Sequence, residues 1–60
     1  MSRECINSKV SRNGNEVKLV SVDFGSSYIV TVKCPGFIAR EIFDTDVYND
    51  AEKLFDYLSR

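Results

Sequence analysis

Residues 44–58 read DTDVYNDAEKLFDYL, and within them the apolar spacing changes from a strand's period of two to a helix's 3.6. Val47, Ala51, Leu54, Phe55 and Leu58 fall at i, i+4, i+7, i+8 and i+11, one stripe of an amphipathic helix whose other face is polar. Asp46 is placed to cap the N-terminus, with Thr45 the weaker choice. Asp50 and Glu52 sit toward the positive end of the helix dipole and Arg60 at its negative end. The predicted helix runs from about Asp46 to Ser59.

Upstream of this junction every signal is for strands. Pro35-Gly36 breaks a ladder, because proline lacks the N–H donor and glycine permits a reversal. A strand over Phe37–Phe43 is expected after it. Before it, Tyr28–Cys34 is rich in the β-branched residues that suit a pleated surface. Gly25-Ser26-Ser27 is a turn, and Glu16–Phe24 is a Val-rich strand without a helix breaker. Asn13-Gly14 favours the positive φ values of a type I′ hairpin turn, and Cys5, Ile6, Lys9 and Val10 mark a weaker first strand. The predicted fold class is α+β: one domain over residues 1–60, an antiparallel meander of three to four strands with one C-terminal amphipathic helix packed on one face.

Sixty residues leave no room for a second domain. No apolar run approaches the ~20 residues of a membrane span. The opening Met1-Ser2-Arg3-Glu4-Cys5 lacks the apolar core of a signal peptide, so a cytoplasmic location is expected. The formal net charge of −1 is unevenly spread: residues 1–18 hold four basic and two acidic side chains, the remainder four basic and seven acidic. With no adjacent pair of basic residues and a pI of 5.2, nucleic acid is an unfavoured main ligand. Two cysteines and no histidine cannot make a four-ligand zinc site, and the commonest general base is missing. Cys5 and Cys34 read as free, half-buried thiols.

One helix covers one face of a sheet, yet both faces carry large apolar groups. On the second strand Val17 and Leu19 oppose Val20 and Val22; on the third, Ile29 opposes Tyr28, Val30 and Val32. Whichever set lies under the helix, a remainder needs cover from the N-terminal segment, a second copy or a partner protein. A homodimer is expected, with Val17, Leu19, Ile29, Phe37 and Phe43 at its interface.

The densest constellation of polar residues is Asp44, Asp46, Asp50, Glu52 and Asp56. It reads either as a solvated helix face or as a negative patch that docks into a basic groove. Its spacing fits no calcium loop, and a chain this short leaves little room for a substrate cleft, so neither a metal, a cofactor nor catalysis is expected. Tyr48 and Tyr57 lie off the apolar stripe and are candidate anchors beside those acids; Phe55 is core. The candidate partner-binding set is therefore Asp46, Tyr48, Asp50, Asp56 and Tyr57. Gly14, Gly25 and Gly36 follow no phosphate-loop spacing.

The run Phe43–Phe55 (FDTDVYNDAEKLF) resembles the strand-to-helix junction of many tiny proteins of phages and their bacterial hosts. As a whole the chain is similar in kind to small phage-encoded inhibitors of bacterial defence systems, which are short, acidic, single-domain and often dimeric. The resemblance implies a non-enzymatic module that blocks a host enzyme by binding it as a homodimer; it carries over no residue role. Two other readings stand beside it: a small nucleic-acid-binding regulator using Arg3, Lys9, Arg12 and Lys18 on the N-terminal hairpin, and a structural assembly subunit.

Overall fold

A computed structural model describes residues 2–60. Four strands, β1 (Arg3–Val10), β2 (Glu16–Val22), β3 (Ser27–Lys33) and β4 (Arg40–Thr45), precede one helix, α1 (Tyr48–Leu58). The strands form one antiparallel sheet in the order β1-β2-β3-β4. The α+β meander with one C-terminal helix is thus the observed architecture.

Cross-strand pairing decides which face the helix takes. The register sets Val17 opposite Val32, Leu19 opposite Val30 and Ser21 opposite Tyr28, with Phe43 of β4 beside Val30. This is a nearly continuous apolar field. The other face interleaves Val20 and Ile29 with the pairs Glu16–Lys33 and Lys18–Thr31. The helix stripe lies on the first field: Val17, Leu19 and Val30 are buried with Ala51 and Phe55, and Tyr28, Val32, Leu54 and Leu58 pack around them. Burying each of the larger side chains contributes about 1.5–3 kcal/mol. Val17 and Leu19, expected at a dimer interface, are therefore covered within the single chain by α1.

The sheet's opposite face is closed differently. Ile29 and Val22 are only 5% and 7% exposed although no element lies over them. Above them the Arg3 guanidinium of β1 pairs with the Glu41 carboxylate of β4. The register puts Arg3 level with Ser27 and Glu41 level with Thr31, so three strand spacings across and four residues along would set them roughly 19 Å apart in a flat sheet, beyond the reach of the two side chains, and the pair requires the edges to curl toward each other. Both outer strands carry a bulge where they need to bend: Ile6 opposes no residue of β2, and Ile42 none of β3. Ile29, also expected at a dimer interface, is thus enclosed by the curl.

Local corrections have simple causes. In the first hairpin Gly14 N–H donates to Ser11 O (3.0 Å) and Ser11 N–H to Asn15 O (2.8 Å), and only Gly14 takes a positive φ, of 84°. This is a three-residue loop closed by a left-handed glycine rather than the expected type I′ turn. The fourth strand begins at Arg40, not Phe37. Phe37 N–H closes a turn onto Cys34 O (3.0 Å), and the next residues span the gap before pairing starts at Val32–Arg40. The helix is shorter than predicted, with Val47 as N-cap and no side-chain cap. Thr45 Oγ1, not Asp46, accepts a hydrogen bond here, from Val47 N–H (3.1 Å). Cys5 and Cys34 are unbridged and exposed, not half-buried. No helix among the described residues is long and apolar enough to cross a membrane.

Candidate interaction surfaces

Helix geometry divides the expected partner-binding residues between two flanks. Tyr48, Glu52 and Asp56 follow at steps of four and stack along the side of α1 that faces β1. Because α1 packs on β2, β3 and β4 but not on β1, this flank borders a groove of about 420 Å³. Its far wall is Asn7 and Lys9, and Lys9 Nζ lies 5.9 Å from the centre of the Phe55 ring. Asp50 and Tyr57, seven residues apart, stand on the other flank, and Asp46 precedes the helix. Asp56 pairs with Arg60 (3.7 Å), whose guanidinium lies 5.9 Å from the Tyr57 ring centre. Among the described residues, Asp46 and Asp50 have no cationic partner within 4 Å. The structure therefore divides the acids of α1 between two flanks, Glu52 and Asp56 on the side facing β1 and Asp50 on the other, rather than gathering them in one patch.

At the start of the helix the Tyr48 ring meets Tyr28 edge-on, with centres 5.2 Å apart. The Glu52 carboxylate, one turn on, raises the Tyr48 phenol above its ordinary pKa, and desolvation acts in the same direction.

The basic residues of the N-terminal hairpin do not converge. Arg3 and Lys18 lie on the face away from the helix, engaged by Glu41 and Glu16, whereas Lys9 lies on the helix side and Arg12 in the turn. The five expected interface residues are likewise dispersed. Val17 and Leu19 are under α1, Ile29 is on the opposite face, Phe43 is at the β4 edge of the helix face and Phe37 is in the β3–β4 loop.

At the two ends of β3 the sequence marks aromatic residues but neither the pocket nor the strained turn that holds them. After Lys33, the loop and the start of β4 shape a mainly apolar pocket of about 260 Å³ from Val32, Cys34, Phe37, Ile38 and Arg40. Phe37 and Ile38 are 68% and 81% exposed. Before Ser27, the β2–β3 turn places Asp23 at φ 48° and Phe24 at φ 60°. Residues with a Cβ reach that left-handed region at a cost of about 1–2 kcal/mol. Phe24 is also 90% exposed. The turn is held by Asp23 N–H donating to Ser2 O (2.7 Å), Ser2 N–H donating to Asp23 Oδ1 (3.0 Å) and Ser26 N–H donating to Val22 O (3.0 Å). Gly25-Ser26-Ser27 did signal a turn in the sequence, but nothing in it marks Phe24 as left-handed.

No protein-family model, curated protein or solved structure matches the chain.

Proposed function

We propose that the chain is a small protein-binding module that associates with itself as a homodimer and offers the acidic flanks of α1 to a partner protein. The observation that supports this best is the pair of uncovered apolar ends, Phe24 at one and Phe37 with Ile38 at the other, on a chain of only sixty residues. An apolar pocket edged by exposed Phe37 and Ile38, and a phenylalanine held almost wholly in solvent, suit a binding surface. Asp46 and Asp50 add a negative field without cationic partners, suited to steering the module into a basic groove. On the likeness of the chain as a whole to small phage-encoded inhibitors, the partner is a bacterial enzyme that the module blocks by occlusion.

Two measurements test the parts separately. Light scattering at high micromolar concentration is expected to give twice the chain mass of 6.8 kDa; a strictly monomeric mass rejects self-association. Reversal of Asp46, Asp50 and Asp56 to lysine is expected to abolish capture of the partner from bacterial lysate with the far-ultraviolet circular dichroism unchanged. Undiminished capture by the folded triple variant rejects the acidic flanks as the docking surface.

A further inference from the structure

We propose that Phe24 is the anchor of the homodimer: in an antiparallel two-fold pair, each copy seats its Phe24 ring in the other's pocket between Val32, Cys34, Phe37, Ile38 and Arg40. This rests on the self-association proposed above and names its contact.

Among the described residues Phe24 packs against almost nothing of its own chain. Its side chain is 90% exposed, and its backbone conformation is one that Asn or Gly occupies at lower cost. The hydrogen bonds between Ser2, Asp23, Val22 and Ser26 nonetheless hold the turn in that conformation and present the ring outward. A strained residue held in place by its surroundings points to a role outside the chain. The anchor is also pre-organised, so docking it freezes little further freedom.

The chain carries a matching receptor. The pocket's 260 Å³ accommodates a benzyl group, and its lining is mainly apolar. Phe37 offers an aromatic wall, and Arg40 offers a guanidinium for the ring face. Charge agrees as well. Among the described residues Arg40 has no acidic partner within 4 Å, and the residue preceding Phe24 is Asp23, so seating the ring brings a carboxylate to the guanidinium.

A single copy cannot satisfy itself, because the turn and the pocket lie at opposite ends of β3, whose seven residues span roughly 23 Å. Two copies side by side and antiparallel place unlike ends together at both extremities. Both contacts then form at once, and the assembly closes as a two-fold dimer.

Phe24→Asn is the deciding variant, since asparagine tolerates the left-handed region and the fold is retained. Sedimentation equilibrium is expected to show self-association weakened at least about a hundredfold, because both reciprocal anchors are lost. Association equal to that of the unaltered chain overturns this contact while leaving the homodimer in place; a monomeric unaltered chain overturns both. A second variant reads the geometry. Ile38→Asp, at a position 81% exposed, spoils the pocket and keeps the ring, and a 1:1 mixture of it with Phe24→Asn is expected to associate at least about tenfold more tightly than either variant alone, because one intact ring then meets one intact pocket. No gain on mixing overturns the proposal.

Discussion

On the helix side of the sheet, Val17, Leu19 and Val30 are sealed by Ala51 and Phe55; on the other side, Ile29 and Val22 are nearly as buried with no element above them. The first face is closed by a second layer, the second by the sheet bending over its own side chains and by an ion pair between its outer strands. A single helix is thus enough for a sheet with two apolar faces, provided the poorer face can curl. The bulges at Ile6 and Ile42 supply that bend, in the strands where a broken ladder bond costs least.

The two closures should differ in rigidity, and truncation on each side measures the difference. Leu19→Ala empties a site enclosed from both layers, and the expected loss is about 4 kcal/mol, enough to bring so small a domain close to unfolding. Ile29→Ala opens a site with no second layer over it, where neighbouring side chains can collapse into the space, and the expected loss is about 2 kcal/mol. Urea denaturation of both variants checks this ordering. Equal losses would mean that the curled face is packed as firmly as the layered one.

That contrast also marks what the residues disclose in advance. The helix stripe from Val47 to Leu58, the Val-rich strands and the glycine-marked turns are short-range patterns, and they place every element of the meander. Register is a long-range quantity. Only the pairing of Val17 with Val32 and of Leu19 with Val30 shows that the helix takes this face, and alternation along one strand cannot tell one face from the other. The same gap hides the cover that α1 gives Val17 and Leu19, whereas the closure over Ile29 is hidden because a bulge has no signature in a run such as Glu4-Cys5-Ile6-Asn7. The left-handed backbone of Phe24 is hidden for a different reason. Phenylalanine is among the residues least suited to a positive φ, so its place in the turn violates the propensity on which turn reading depends.

The ion pair over the curled face should matter far less than the apolar groups under it. The Arg3 and Glu41 side chains are each about half exposed, at 51% relative accessibility, so solvent screens most of their attraction. Arg3→Ala and Glu41→Ala are each expected to cost no more than about 1 kcal/mol, with a coupling of about 0.5 kcal/mol in the double-mutant cycle. That coupling should vanish in 1 M salt, where the screening length falls to about 3 Å. A coupling that survives high salt would show the pair to be a structural clasp. It would also shift the account of this face from bending toward electrostatics.

At the rim of the layered face, the smallest expected effect concerns Tyr48, whose ring meets Tyr28 and whose phenol is held above its ordinary pKa of 10.0 by the neighbouring Glu52 carboxylate. Raising the folded pKa favours the neutral phenol, so the unfolded chain releases this proton first as pH rises. The contribution to stability is therefore complete below about pH 10 and fades as pH climbs through the folded value. Because the ring edge is solvent-exposed, the readout is the titration itself rather than the stability. Ultraviolet difference spectra of the unaltered chain against Glu52→Gln should show one tyrosine ionising at lower pH in the variant. Superimposable curves would mean that Glu52 does not govern Tyr48. The flank of α1 facing β1 would then be an array of independent side chains, with none of the mutual fixing seen beneath the helix.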